Sequence, residues 1–106
     1  MNVGILSDIH GDYSALQQAV NRLDHHHQVE QILCAGDLVG RGPQPDKVVQ
    51  LIRERGIQTV RGNHDEWSYG LSAENKDFLK ELPREWRSEI DGQSVFMCHG
   101  KPGNNL

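Results

Sequence analysis

The chain has almost no cysteine, few aromatic residues and no surplus of basic charge, and each shortage closes off a class of protein. Only Cys34 and Cys98 occur among the 106 residues. Each lies in an apolar run outside any CxxC spacing, so neither a disulfide framework nor a structural zinc knuckle is expected. Both read as buried, reduced thiols. The formal net charge is -4 and the pI is near 5.8. A dedicated nucleic-acid or anionic-membrane surface needs a concentrated basic face, which this balance argues against. No apolar stretch approaches the roughly 18 residues of a membrane span, and no charged leader precedes an apolar core. The expectation is a soluble, cytoplasmic protein with a single domain over 1–106.

What is present alternates between strand-like and helix-like patterns, the signature of an α/β fold. Val3 to Leu6 is a short apolar run. Asp12 then offers an N-cap for a helix with Leu16, Ala19, Val20 and Leu23 on one face. Ile32 to Ala35 reads as a second strand. A helix follows over Pro45 to Arg55, with proline in its first turn and Gly56 as its stop. Ile57 to Val60 reads as a third strand, Ser72 to Leu82 as a third helix closed by Pro83, and Ser94 to Cys98 as a further strand. Trp86 to Ile90 pairs with that last strand through a turn at Asp91-Gly92.

Four strand candidates each run into Asp, His or Asn beside glycine: Asp8-Ile9-His10-Gly11, Gly36-Asp37, Gly62-Asn63-His64-Asp65 and His99-Gly100. In parallel α/β sheets the carboxyl ends of the strands share one edge, so the four clusters should converge. One such residue is usually a cap or a solvated turn residue; four in succession strain that account. Oxygen and imidazole donors without thiolate suit divalent manganese, iron or zinc. Asp37 is a carboxylate that can bridge two cations, and paired cations suit the hydrolysis of phosphate esters.

Ser7-Asp8-Ile9-His10-Gly11-Asp12, Gly36-Asp37-Leu38-Val39, Gly62-Asn63-His64-Asp65 and Cys98-His99-Gly100 resemble, in order and spacing, the motifs of the calcineurin-like metallophosphoesterases. Leu79 to Pro83, the hairpin and His99-Gly100-Lys101-Pro102 resemble the small bacterial and archaeal phosphodiesterase branch. The resemblance implies two packed sheets flanked by helices, two divalent metal ions and a small phosphorylated substrate. It implies that Asp8, His10 and Asp37 bind one metal, that Asp37 bridges, and that Asn63 and His99 bind the second. His64 would then act near the leaving group, oriented by Asp65. The family completes this site with a later Gly-His-x-His motif, which these residues do not include, so the chain reads as an N-terminal portion of the α/β/β/α sandwich. A sheet ending there leaves an edge that a homo-oligomer would cover.

Gly36-Asp37-Leu38-Val39-Gly40-Arg41-Gly42 resembles the Ser/Thr-phosphatase and dinucleoside-tetraphosphatase branch, with Gly40 where that branch has Asp. Arg41 is a candidate phosphate clamp, since a guanidinium donates two parallel bonds; a solvated loop arginine is the competing account. Arg61 reads as pairing locally with a carboxylate. His25-His26-His27 reads as surface at the far end of the first helix. Trp67, Tyr69 and Trp86 read as core or cover rather than as stacking platforms, and Cys98 as core. The preferred function is a metal-dependent phosphoesterase acting on mono- or diesters. The rival is a truncated, non-catalytic metal-binding or interaction module.

Overall fold

The computed structural model describes residues 2–66 and 70–100. Strand β1 (Val3–Leu6), helix α1 (Tyr13–His25), strand β2 (Gln31–Cys34), helix α2 (Pro45–Arg55) and strand β3 (Gln58–Thr59) follow one another, and the strands form a parallel sheet with β2 in the middle. The register sets Val3 beside Gln31 and Cys34 beside Thr59. After a 3-10 turn at Asn63–Glu66 come helix α3 (Ala73–Glu81) and the strands β4 (Glu85–Ile90) and β5 (Gln93–Cys98).

Local signals set the element ends. Asp12 caps α1 by accepting from the Ala15 amide at 3.0 Å. Pro45 opens α2, where its missing N–H costs no helical bond, and Gly56 closes it in the left-handed region at φ 62. Ser72 caps α3 through the Asn75 amide. Asp91 and Gly92 both take positive φ, as a two-residue hairpin turn requires.

Two expectations change here. The third strand is two residues long, Gln58–Thr59, rather than four, although the Val60 amide still donates to the Cys34 carbonyl at 3.1 Å. The last strand does not join the parallel sheet at all; it pairs antiparallel with β4 in a separate two-stranded sheet. That second sheet is the start of the second layer that the sandwich architecture calls for. Its Met97, Trp86 and Ile90 pack on Leu33, Val60 and Val3 of the parallel half.

The main core lies on the other face, where Leu16 and Val20 of α1 and Val48, Val49 and Ile52 of α2 meet Ile32 and Cys34 of β2. Burial pushes the Cys34 thiol up to about 12, which keeps it inert. Cys98 is half-buried rather than core, with Sγ 3.6 Å from the Gly100 carbonyl. β1 is an edge of its sheet, and Ile5 on it is 68% exposed. Trp86 is half-buried under the hairpin, in keeping with a packing role, whereas Trp67 and Tyr69 lie outside the described residues. No helix among the described residues is long and apolar enough to cross a membrane.

Candidate metal centre

The loops leaving β1 and β2 are stitched together by backbone bonds that extend the β1–β2 ladder. The amides of Asp8, His10 and Gly11 donate to the carbonyls of Gly36, Asp37 and Leu38 at 3.0, 2.9 and 2.7 Å. To make these bonds, Asp8, His10 and Asp37 all adopt left-handed backbone, at φ 56, 51 and 59. Each such residue costs about 1–2 kcal/mol. Asp and His are among the few side chains that tolerate this region, and strain of this kind gathers where side chains must be aimed. Close approach fixes a glycine as well: a Cβ on Gly62 would overlap Asp37 Oδ1.

These loops bring Asp8, His10, Asp37, Asn63, His64 and His99 together, although His99 arrives from β5 of the second sheet. Asp37 is 2% exposed and lies at the centre. Its Oδ2 is 3.0 Å from His64 Nδ1, 3.4 Å from His99 Nε2 and 3.8 Å from His10 Nε2. Donor atoms of His10, Asp37 and His64 fall within 4.8 Å of one another, as do those of Asp8, Asp37 and His99, so one carboxylate serves two groups.

Whether these residues fit cations is decided by where their lone pairs point. His99 Nδ1 lies 2.9 Å from the Ala35 carbonyl. That oxygen only accepts, so Nδ1 carries the hydrogen and the neutral ring turns the Nε2 lone pair inward. It faces Asp37 Oδ2, an acceptor too, at 3.4 Å, and the Asn63 side-chain amide at 3.1 Å, whose oxygen is the facing atom in only one of its two orientations. His10 repeats the pattern more loosely, with Nδ1 3.4 Å from the Val39 carbonyl and Nε2 3.7 Å from Asp8 Oδ1. Acceptors that converge on a point repel one another unless positive charge lies between them. Divalent cations fit this donor set. With its amide turned over, Asn63 would instead donate to both Asp37 oxygens at 3.2 Å and to His99 at 3.1 Å, the arrangement suited to a metal-free site.

The sequence of residues 1–106 matches the family described as calcineurin-like phosphoesterase superfamily domain. The chain belongs to that superfamily. It is 31% identical over 121 residues to an uncharacterized protein of Methanocaldococcus jannaschii, covering 94% of this chain and 49% of that protein. It is 36% identical over 67 residues to a symmetrical bis(5'-nucleosyl)-tetraphosphatase of Erwinia tasmaniensis, covering 61% of this chain and 24% of the relative. Among solved structures, a metallophosphoesterase from Sphaerobacter thermophilus superposes with a TM-score of 0.76 at 28% identity, covering 100% of this chain and 49% of that one. The chain thus spans about half the length, or less, of the relatives it matches.

Within this phosphoesterase domain, the pair His64-Asp65 is not arranged as expected. The carboxylate found against the His64 ring is that of Asp37, which also accepts from the His64 amide at 2.9 Å. Asp65 is turned down into the protein, where its oxygens accept from backbone amides of Asp37, Leu38, Val39 and Gly62. Burial pushes the Asp65 carboxyl above its ordinary value and the four amides pull it back; since every partner is a donor, they fit the ionised form.

Gly40, where the related branch carries Asp, has φ 125, and a Cβ there would stand 2.9 Å from His64 Cβ. A larger residue at this position would have to displace the His64 side chain. Arg41 follows it, exposed, with no hydrogen bond or ion pair to the other described residues. Arg61 meets no carboxylate in the described contacts; its guanidinium donates to the Lys80 carbonyl at the end of α3, and its amide donates to the Pro83 carbonyl. His25 to His27 lie exposed at the end of α1, away from the site. Sequence reasoning missed the carbonyls of Ala35 and Val39 that orient the two imidazoles, and backbone acceptors leave no trace in residue identity.

Proposed function

We propose that this chain carries most of a dinuclear divalent-metal centre that hydrolyses small phosphate mono- or diesters. The observation that carries the reading is the sharing of Asp37 between two donor groups, with Asp8 and His99 on one side and His10 and His64 on the other. Two divalent ions held there would supply a more acidic attacking water and charge neutralisation at the attacking and leaving oxygens. The family motifs cut across these groups: by that resemblance Asp8 and His10 would hold one ion and Asn63 and His99 the other, with Asp37 common to both. The buried position of Asp37 keeps solvent from competing for it. His64 would serve the leaving oxygen: with Nδ1 against Asp37, the proton would pass through Nε2. The exposed Arg41 sits between Gly40, packed on His64, and Gly42, whose amide donates to the His10 carbonyl. A guanidinium in this loop would suit a phosphate entering beside His64. Relatives named as tetraphosphatases, together with a Serine/threonine-protein phosphatase 2 of Escherichia coli, support a substrate read through its phosphate.

The test is hydrolysis of aryl phosphate mono- and diesters with added manganese, alongside a count of bound ions. Activity should vanish on exhaustive chelation and return with metal; activity that survived chelation would overturn the reading. His64→Ala should lower the rate by about 100-fold to 10,000-fold while the ion count holds. Loss of an ion in that variant would move His64 into the coordination shell.

A further inference from the structure

Asp65 is 4% exposed, and its carboxylate collects N–H groups from two different loops. Oδ2 accepts from the amides of Asp37 at 2.9 Å and Gly62 at 2.8 Å; Oδ1 accepts from Leu38 at 2.7 Å and, at a longer 3.4 Å, from Val39. The exchange is reciprocal, since Asp37 Oδ1 accepts the His64 amide from Asp65's own turn. The segment 37–39 held in this way carries the left-handed Asp37, and its carbonyls hold the neighbouring loop: Asp37 O accepts from the His10 amide, Leu38 O from the Gly11 amide, and Val39 O faces the His10 ring.

We propose that Asp65 is a positioning residue that presets the Asp37–Val39 turn, and through it Asp37 and His10, before any metal binds. The proposal rests on the reading of Asp37 as the shared metal ligand. An ionised carboxylate suits this place because it is acceptor-only, with lone pairs enough for four donors. An amide of the same size is not equivalent, because its NH2 must confront one of the two pairs of backbone N–H groups. Left-handed backbone at Asp37 is unfavourable by itself, so something must hold it. The Asp65 bonds act directly on that residue's amide and on the two that follow.

The experiment titrates manganese alone into the wild type and into Asp65→Asn, and measures the melting temperature of each without metal. Removing partners that orient a metal's ligands typically weakens affinity about 10-fold to 100-fold, and that loss is expected in the folded variant. An equal affinity with a lowered melting temperature would make Asp65 structural only and overturn the proposal. A wild type that takes up no manganese would overturn the metal reading, and this proposal with it. Should the variant not fold, amide hydrogen exchange of the metal-free wild type decides. Asp37, Leu38 and Gly62 should already be protected; protection that arose only on adding manganese would refute presetting.

Discussion

The parallel half and the β4–β5 hairpin reach the same site by different means. In the parallel half, the site residues follow strands whose inner face is packed by two helices, and Val48, Val49 and Ile52 are fully buried beneath them. The hairpin delivers one residue, His99, and its hold on the other sheet rests on Met97 with half-buried Trp86 and Ile90. Placement by a dense core fixes a ligand within narrow limits, whereas placement by a thin apolar contact leaves it free to follow local opening. His99 gains an anchor of its own in the Ala35 carbonyl, from which the parallel half orients the hairpin's imidazole.

The largest effect should separate the two halves by their ligands. Asp37→Ala removes the carboxylate shared by both groups, so binding of both ions should be lost. His99→Ala should leave the Asp8–His10–Asp37 ion in place and remove the other. Calorimetric metal titration with a count of bound ions checks this, and equal stoichiometry in the two variants would break the comparison.

A smaller effect concerns packing. Ile52→Ala opens a void under α2 at a fully buried position and should cost about 3–5 kcal/mol, while Met97→Ala, in the smaller cluster and 8% exposed, should cost about 2 kcal/mol. Denaturant unfolding gives both numbers. Hydrogen exchange adds the sharper distinction, because Met97→Ala should accelerate exchange in β4 and β5 while the amides of α1 and α2 keep their protection.

Much of this division was legible in the residues, for reasons that are local. Asp12, Pro45, Gly56 and Asp91-Gly92 act within a few residues of themselves, and each ends an element where the sequence says it should. The convergence of the clusters after β1, β2 and β3 was legible too, because the carboxyl ends of parallel strands share one edge; His99 reaches them from the other sheet. What escaped is long-range. β5 has the same apolar alternation whether it extends the parallel sheet or starts a second one. Asp65 follows His64 in the chain, yet its oxygens turn to amides up to 28 residues away. The left-handed backbone of Asp8, His10 and Asp37 is permitted by their side chains but demanded only by the paired loops.

The smallest effect is a pH response confined to the helical side. Asp46 in α2 accepts from the Ser72 amide at 2.9 Å and from the Asn75 side chain at 2.7 Å; Asn75 in turn accepts from Arg53 at 2.9 Å, so the seam between α2 and α3 depends on this carboxylate. The Ser72 amide first, and Asn75 second, hold the Asp46 carboxyl below its ordinary value of 3.8. A carboxyl with a depressed folded pKa stabilises the protein fully above the unfolded value, and that contribution fades as pH falls through the folded one. The loss should therefore begin below about pH 4 and grow toward lower pH, with Asp24, held down by Arg55 between α1 and α2, adding in the same direction. The apolar contact between hairpin and parallel sheet carries no such dependence. Melting temperatures of wild type and Asp46→Asn should differ at pH 7 and converge as pH drops below about 4; a gap that stayed constant down to pH 2 would show that the α2–α3 seam does not draw on the charge of Asp46.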